Sequence, residues 1–391
     1  MSQVLRGNWN FPTTIWAGPG RISELPAACA RAGITRPLIV TDEGLIGAPM
    51  IRSALAALKD AALFGAVRGN PASRHVEAGL ATYRNGRHDG VVAFGGGSAL
   101  DAGKVIAFMS GQTRPLWDFE DVGDWWTRAD PEGIAPVVAV PTTAGTGSEV
   151  GRAGVILNEE THQKKIIFHP QMMPRIVIAD PELTVGLPRA VTAATGMDAF
   201  IHCFEAFCAP GFHPLADGIA LEGMRIIHRF LPRACADGKD IEARSQMLAA
   251  ASMGATAFQK GLGGVHAIAH PVGSWFNTHH GLTNAVILPY VMTFNRPMIA
   301  DKADVIARVL DLPDRGFEGF LGWVLEFRRG LGIPHSLAEI GVSAEKAEII
   351  GREAAIDPSA GGNPIRVDAA ALEHIFRAAV DGKLGAVGSG A

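Results

Sequence analysis

The stretch that decides the fold is DGVVAFGGGSALDAGK, residues 89–104. It begins with the small and β-branched residues of a buried strand and passes through Gly95, Gly96 and Gly97 into a helical pattern. Consecutive glycines let backbone amides approach a phosphate, and the N-terminus of the following helix adds partial positive charge. The spacing is not the GxGxxG fingerprint of an ordinary dinucleotide fold. The segment therefore predicts an α/β sheet with a phosphate-binding turn.

Short apolar runs alternate with helical stretches from Arg21 to Leu187, which is the pattern of a sheet with crossover helices. The predicted strands are Pro37–Thr41, Ala62–Val67, Ala135–Val140 and Ile176–Ala179, the predicted helices are Ala54–Ala62 and Ser73–Gly86, and Asn158–Lys165 is a predicted turn between two strands.

Two polar segments follow predicted strands of this sheet. Asp42 comes after the first strand, where a carboxylate either faces a ligand or caps a helix, and both interpretations fit equally well. The segment PTTAGTGSEV, residues 141–150, follows a later strand and offers many hydroxyls and amides. It could be a polar surface loop. Because a second glycine-rich segment also ends a strand, we interpret the two as parts of one nucleotide site.

Beyond Leu187 the pattern becomes helical, which predicts an α/β domain at residues 1–187 and an all-helical domain at 188–391. Further helices are predicted near the C-terminus at Ala303–Leu310, Gly319–Gly330, Ala344–Ala355 and Asp368–Asp381, and the turn-rich segment at 357–364 could close over a pocket.

Histidines concentrate in GLGGVHAIAHPVGSWFNTHHGLTN, residues 261–284. His266 and His270 are four residues apart and would share one helical face, after which Pro271 predicts a turn. Asp198 and His202, in GMDAFIHCFEAF, share a face in the same way. Either pair could be an ordinary buried residue pair. Together, one carboxylate and several imidazoles could enclose a divalent ion, and such a shell suits Zn²⁺ or Fe²⁺.

The composition excludes several classes of protein. The net charge is −4, with no basic run typical of nucleic-acid binding, and 48% of the residues are apolar. We find no signal peptide and no long apolar span, so we expect a cytoplasmic protein without a membrane or nucleic-acid partner. The four cysteines lack disulfide or metal spacing, which fits a reducing compartment (Cys29, Cys203, Cys208 and Cys235).

These motifs in this order resemble the iron-containing (group III) alcohol dehydrogenases, which share their architecture with dehydroquinate synthase. The resemblance rests on GGGSALDAGK at 95–104, PTTAGTGSEV at 141–150, DPELT at 180–184, GMDAFIH at 196–202, and VHAIAHPVG followed by HHG. It implies an N-terminal α/β domain that binds NAD(P), a helical C-terminal domain that binds the metal, and a homo-oligomeric enzyme. It also implies that the metal is held by Asp198, His202, His266 and His280.

The resemblance assigns the other site residues as well. His270 corresponds to a histidine beside the nicotinamide and the substrate, so it is expected in the pocket and not on the metal, while His279 is expected to be structural. Asp42 corresponds to the acidic residue that favours NAD over NADP. Lys165, or the adjacent Lys164, is a further expected cofactor contact. The remaining expected contacts are Leu183, the pyrophosphate residues Gly96, Gly97, Ser98 and Asp101, and the loop residues Thr142, Thr143, Thr146 and Ser148.

The expected reaction is reversible hydride transfer between NAD(P) and a small primary alcohol or aldehyde, with one Fe²⁺ or Zn²⁺ ion. Two departures from the family pattern concern the substrate. Lys260 could attract an anionic group on the substrate or could point to solvent. The small residues at Gly151–Gly154 would enlarge the pocket. The alternative is a metal- and NAD-dependent lyase of the dehydroquinate synthase type.

Overall fold

The computed structural model describes residues 13–388, so the first twelve residues of the predicted 1–187 domain and the last three of the predicted 188–391 domain lie outside it. Its internal contacts divide the chain near Gly186 and Leu187 into an α/β unit and a helical unit. No helix of the described part is long and apolar enough to cross a membrane.

The α/β unit contains a six-stranded sheet in the order β1-β8-β5-β4-β2-β3, with every pairing parallel, and a separate antiparallel hairpin, β6–β7. The strands are β1 (Thr14–Ala17), β2 (Pro37–Asp42), β3 (Ala62–Val67), β4 (Gly90–Gly95), β5 (Val137–Pro141), β6 (Ala153–Asn158), β7 (Gln163–Phe168) and β8 (Ile176–Ala179), and the helices are α1 (Leu25–Ala32), α2 (Pro49–Ala57), α3 (Ser73–Asn85) and α4 (Gly97–Met109).

The strand order places the predicted ligand residues at one position of the sheet. β2 lies between β3 and β4, so the direction in which successive strands are added reverses there. Open α/β sheets bind ligands beyond the carboxyl ends of the strands at such a reversal. Asp42 ends β2 and Gly95 ends β4. Two stretches selected from the sequence therefore end side by side.

The helical unit consists of α5 (Arg189–Cys208), α6 (Pro214–Ala236), α7 (Ile241–Ala257), α8 (Gly264–Phe276), α9 (His280–Val309), α10 (Gly316–Leu331), α11 (Ala347–Ile356) and α12 (Ala369–Asp381). Helix α5 is buried along most of its length and packs against α6, α7 and α9. A helix that is apolar on all sides belongs in a core. The side chains of Asp198 and His202 are therefore held inside the unit.

Several predicted boundaries were wrong. The helix expected at Ala54–Ala62 is α2, which ends at Ala57, and Asp60, at φ 55°, turns the chain before β3. Pro271 lies inside α8, which continues to Phe276 and stops at Asn277, a residue with φ 51°. The segment expected at Ala303–Leu310 is the end of the thirty-residue α9, which also contains two prolines.

Arg328 explains how α9 accommodates Pro289. A proline has no N–H, so the carbonyl four residues earlier, that of Ala285, loses its helical donor. Arg328 is buried and donates from Nη1 to the carbonyl of Ala285 at 2.7 Å and to that of Val286 at 2.9 Å. The helix is therefore continuous because a residue on α10 replaces the missing hydrogen bond.

Candidate metal centre and nucleotide loops

Helices α5, α8 and α9 bring the four predicted metal ligands together. The Nε2 atoms of His202, His266 and His280 lie 4.0, 3.9 and 3.7 Å from Oδ1 of Asp198. The donor atoms of Asp198, His202 and His266 all lie within 4.8 Å of one another. Around a tetrahedral Zn²⁺ bonded at about 2.0–2.1 Å, the ligand atoms stand roughly 3.4 Å apart. Asp198, His202 and His266 thus form a group that could converge on one ion, and Nε2 of His280 faces the same carboxylate oxygen at a similar distance.

Two glycines allow these helices to approach closely enough. A Cβ on Gly281 of α9 would lie 3.1 Å from Cβ of Asp198, and one on Gly254 of α7 would lie 3.0 Å from Cβ of His202. Both contacts are too short for a larger residue unless the helices separate. The glycine in the HHG motif therefore has a packing role beside the ligand on α5.

Glu205 orients one of the ligands from the other side of the cluster. Its Oε2 is 2.6 Å from Nδ1 of His266, and its Oε1 accepts the backbone N–H of Val265 at 2.8 Å. Since Nδ1 donates to the carboxylate, Nε2 carries the lone pair that faces Asp198. Burial lowers the pKa of His266, but the charge and hydrogen bond of Glu205 outweigh burial and raise it. The imidazole is therefore a stronger base and a better metal ligand.

His270 lies beside this cluster. Its ring stacks on that of His280, with centroids 5.4 Å apart and an interplanar angle of 13°. Its Nδ1 is 2.8 Å from Oδ2 of Asp357, while Oδ1 of Asp357 accepts the N–H of Ser359 at 2.8 Å. Burial alone would raise the pKa of Asp357, but His270 and Ser359 lower it. An ionised Asp357 thus fixes the tautomer of His270, and the segment at 357–364 does lie against this cluster.

Asn284 is a further buried polar residue of the cluster. Its Nδ2 lies 2.7 Å from Oδ1 of Asp198 and 3.1 Å from Nε2 of both His266 and His280. By contrast, His279 is the N-cap of α9, and its Nδ1 accepts the N–H of Leu282 at 3.3 Å. This local cap is the structural role expected for His279.

Lys260 fits neither of its two predicted positions. Its side chain is only 3% exposed, and its Nζ pairs with the carboxylate of Asp217 and lies 3.4 Å from the carbonyl of Phe207. The expectation that it points to solvent was therefore wrong, and its charge is already compensated within the helical unit. A buried lysine needs such a partner because desolvating an isolated ammonium is costly.

In the α/β unit, the loops that follow β4 and β5 contact each other. The N–H of Thr142 donates to the carbonyl of Gly95 at 2.9 Å. A Cβ on Gly96 would lie 3.3 Å from Cγ2 of Thr143, and one on Gly97 would overlap the side chain of Thr146. The glycines are thus needed for the close approach of the two loops, and they leave the first amides of α4 at the edge of the sheet. Ser98 is in the first turn of α4.

A hydrogen bond between Asp101, on α4, and Ser148, in the loop after β5, connects these two loops. The Ser148 hydroxyl donates to Oδ1 of Asp101, and Oδ2 of Asp101 accepts the N–H of Val155 at 3.1 Å. Lys104 is buried one turn later, 3.4 Å from Asp101, and donates to the carbonyl of Ala153. Burial lowers the pKa of Lys104. The contacts of Asp101 and Ser148 therefore hold α4 against the hairpin and shape the loop.

Asp42 caps a turn at the end of β2 and lies beside Gly95 at the end of β4. Its Oδ1 accepts the N–H of Leu45 at 3.1 Å, so it caps a turn and not a helix. Its Oδ2 would lie 3.1 Å from a Cβ on Gly95, so the carboxylate stands beside the glycine turn. Burial raises the pKa of Asp42.

The last two predicted cofactor residues have different surroundings. Lys165, on β7, pairs with Glu120 at 2.9 Å, and both side chains are 24% exposed. Leu183 is buried in the apolar core of the α/β unit with Ile176 and Ile178. If Lys165 binds the cofactor, it must first release Glu120. Leu183 can contact the cofactor mainly through its backbone atoms or the edge of its side chain.

Sequence reasoning did not assign Glu205, Asn284 or Asp357. Two of them have a local signal, since Glu205 is three residues after His202 and Asn284 is four residues after His280 on the same helices. Asp357 has no such signal, because it lies 87 residues from His270.

Comparison with known proteins identifies the family of this chain. The model of the iron-containing alcohol dehydrogenases matches residues 12–181, and that of the family's C-terminal region matches residues 192–380. The 4-hydroxybutyrate dehydrogenase of Cupriavidus necator is 39% identical over 363 residues, which cover 90% of this chain and 94% of the relative. The NAD-dependent methanol dehydrogenase of Bacillus methanolicus is 33% identical over 371 residues, 91% of this chain and 95% of the relative.

A solved structure, a 1,3-propanediol oxidoreductase, matches with a TM-score of 0.89 at 33% identity and covers 95% of this chain and 99% of its own. These relatives are dehydrogenases, so they favour a dehydrogenase over the lyase alternative. The chain belongs to the iron-containing alcohol dehydrogenase family and is a metal-dependent, nicotinamide-linked alcohol dehydrogenase.

Proposed function

We propose that Asp198, His202, His266 and His280 hold one divalent ion, Fe²⁺ or Zn²⁺. The observation that supports this is the approach of three imidazole nitrogens to one carboxylate oxygen at 3.7–4.0 Å inside a buried helical core. When bound, the ion supplies a Lewis acid for the substrate oxygen, and the nicotinamide exchanges the hydride.

The chain's own residues orient the reactants and move the proton. Glu205 holds the proton of the neutral His266 ring on Nδ1, which leaves the Nε2 lone pair for a metal. Asp357 holds the proton of His270 on Nδ1, which leaves Nε2 as the basic atom. On this proposal His270 accepts the alcohol proton at Nε2 and returns it when an aldehyde is reduced. The surrounding apolar helices limit the access of water.

We propose that NAD is preferred over NADP. The supporting observation is the half-buried carboxylate of Asp42, which stands beside Gly95 at the end of the adjacent strand. A carboxylate at this position bonds ribose hydroxyls and repels a 2′-phosphate. The relative from Bacillus methanolicus is named as NAD-dependent. The proposed phosphate site is the N-terminus of α4 with Gly96, Gly97 and Ser98, together with the threonine loop.

For the substrate, we propose a short hydroxy acid of the 4-hydroxybutyrate type and the corresponding aldehyde acid. The support is the 39% identity to a 4-hydroxybutyrate dehydrogenase. Lys260 is already paired with Asp217, so it does not supply the cation that such a substrate needs. The enzyme is further proposed to act in the cytoplasm, and its buried free cysteines fit that reducing compartment. It is also proposed to be a homo-oligomer.

The test is a panel of neutral and anionic alcohols and aldehydes followed by NADH absorbance. We expect 4-hydroxybutyrate to give a higher kcat/KM with NAD⁺ than 1,3-propanediol or methanol. A preference for the neutral alcohols would overturn the substrate assignment while leaving the dehydrogenase intact. If NADH never accumulated while substrate was consumed, the lyase alternative would be supported instead.

A further inference from the structure

Asn284 lies among the candidate metal ligands although no ligand role has been assigned to it. It is on α9, one helical turn after His280, and its side chain is completely buried. Its Nδ2 approaches one atom of each of three ligands, at 2.7 Å from Asp198, 3.1 Å from His266 and 3.1 Å from His280. The amide nitrogen therefore stands where the lone pairs of these ligands converge.

The chemistry of the three partners shows why a donor is found at this point. A carboxylate oxygen only accepts hydrogen bonds. Nε2 of His266 also accepts, because Nδ1 of that ring donates to Glu205. The amide has only two N–H bonds for these acceptors. Its Oδ1 is buried and has no hydrogen-bond partner among the described residues. The acceptor cluster alone thus determines which end of the carboxamide faces inward.

The same lone pairs are the ones that a divalent ion requires. An ion bonded to His266 and His280 would displace the Nδ2 donor from both imidazoles, since the single lone pair of each Nε2 cannot serve two partners. Bringing a metal cation next to the positive end of the amide dipole is also unfavourable. Turning the side chain over would relieve both effects and place the unpartnered Oδ1 of Asn284 towards the ion.

We propose that Asn284 is a fifth residue of the metal centre, which competes with the divalent ion for the imidazole lone pairs of His266 and His280. The competition holds the affinity for the ion below that of the four ligands alone, so that the ion exchanges more readily. The inference rests on the proposed metal role of the four ligands and adds a residue that acts against them.

The matched pair of variants is Asn284→Leu and Asn295→Leu. Leucine has nearly the shape of asparagine but donates no hydrogen bond. Asn295 is also buried on α9, where it exchanges two hydrogen bonds of 2.8 Å with Asn363. The control therefore removes a buried amide from the same helix without touching a ligand. The full-length protein is stripped of metal with a chelator, and Zn²⁺ affinity is then measured against a chromophoric competitor.

We expect Asn284→Leu to bind Zn²⁺ about tenfold more tightly than the wild type, because the contacts from Nδ2 to the two imidazoles no longer have to be broken. Asn295→Leu is expected to lose thermal stability and keep the wild-type affinity. Asn284→Ala also removes the donor and adds no charge, so it should bind Zn²⁺ more tightly as well. It serves as the test if the leucine variant does not fold.

An unchanged or weaker Zn²⁺ affinity in the folded Asn284 variant would overturn the inference, and a weaker one would indicate that Oδ1 is itself a ligand. One further result would instead count against the proposed function itself. If the wild type binds no Zn²⁺ and His266→Ala changes nothing, the four ligands are wrongly assigned. The two failures are therefore distinguishable without measuring activity.

Discussion

Glu205→Gln is the substitution that best tests how the metal centre is organised. The carboxylate is only 4% exposed and makes two hydrogen bonds, with Nδ1 of His266 at 2.6 Å and with the N–H of Val265 at 2.8 Å. Glutamine has the same shape. If its oxygen keeps the bond to Val265, its NH₂ group faces Nδ1 of His266, which must then accept. The ring proton moves to Nε2, the atom that faces Asp198.

The size of the effect follows from the contact that is lost. A hydrogen bond to a charged group contributes about 1.5–3 kcal/mol, and about 1.4 kcal/mol corresponds to a factor of ten. Removing the partner of a metal-bound histidine is therefore expected to weaken Zn²⁺ binding roughly 10–100-fold. The substitution also removes the negative charge that raises the pKa of His266, so the imidazole becomes a poorer ligand.

Zn²⁺ affinity is measured by competition with a chromophoric chelator on protein stripped of metal. The control is Glu353→Gln, because Glu353 also accepts a hydrogen bond from α8, from Nε1 of Trp275 at 3.0 Å, but contacts no ligand. We expect the control to bind Zn²⁺ like the wild type. If Glu205→Gln is folded and also binds Zn²⁺ like the wild type, Glu205 does not determine the tautomer of His266.

Three further outcomes are expected. His266→Ala should lose metal and turnover together, whereas His270→Ala should keep the metal and lose mainly kcat, and metal analysis showing an empty His270→Ala would refute this division of roles. Asp42→Gly should raise the kcat/KM for NADP⁺ relative to NAD⁺ by about tenfold or more, because a buried negative charge near the 2′-phosphate is removed; an unchanged ratio would reduce Asp42 to a turn cap. Gly95→Ala should lower the free energy of unfolding in urea by about 1–3 kcal/mol, since its φ of 154° is strained for alanine. The control is Gly69→Ala, which has open space around it and should unfold like the wild type.

Much of the fold was predictable because it follows from local patterns. The strand Ile176–Ala179 and the strand Ala62–Val67 have the predicted bounds, and the hairpin turn lies within the predicted Asn158–Lys165. Prolines caused errors, since Pro271 and Pro289 both lie inside helices. For Pro289 the reason is Arg328, whose side chain comes from another helix and replaces the missing donor.

In the candidate site, too, local patterns were predictable and contacts between distant residues were not. A spacing of four residues places Asp198 and His202 on one face of α5, whatever the rest of the chain does. The glycine turn after β4 and the threonine loop after β5 were expected together because both end strands of one sheet, and the structure places them in contact. The resemblance to a family, and not spacing, separated His270 from the four ligands.

Only the tertiary structure shows which residues contact the proposed metal ligands and His270. Glu205 and Asn284 are on the ligand-bearing helices, but their contacts depend on how α5, α8 and α9 pack. Lys260 meets Asp217, and His270 meets Asp357, across 43 and 87 residues of chain. The sequence by itself determined the helices, the strand ends and the side chains that share a face, because these depend on neighbours within one or two turns. The partners, tautomers and charge compensation of those side chains were decided by contacts between distant segments, which exist only once the helices are packed.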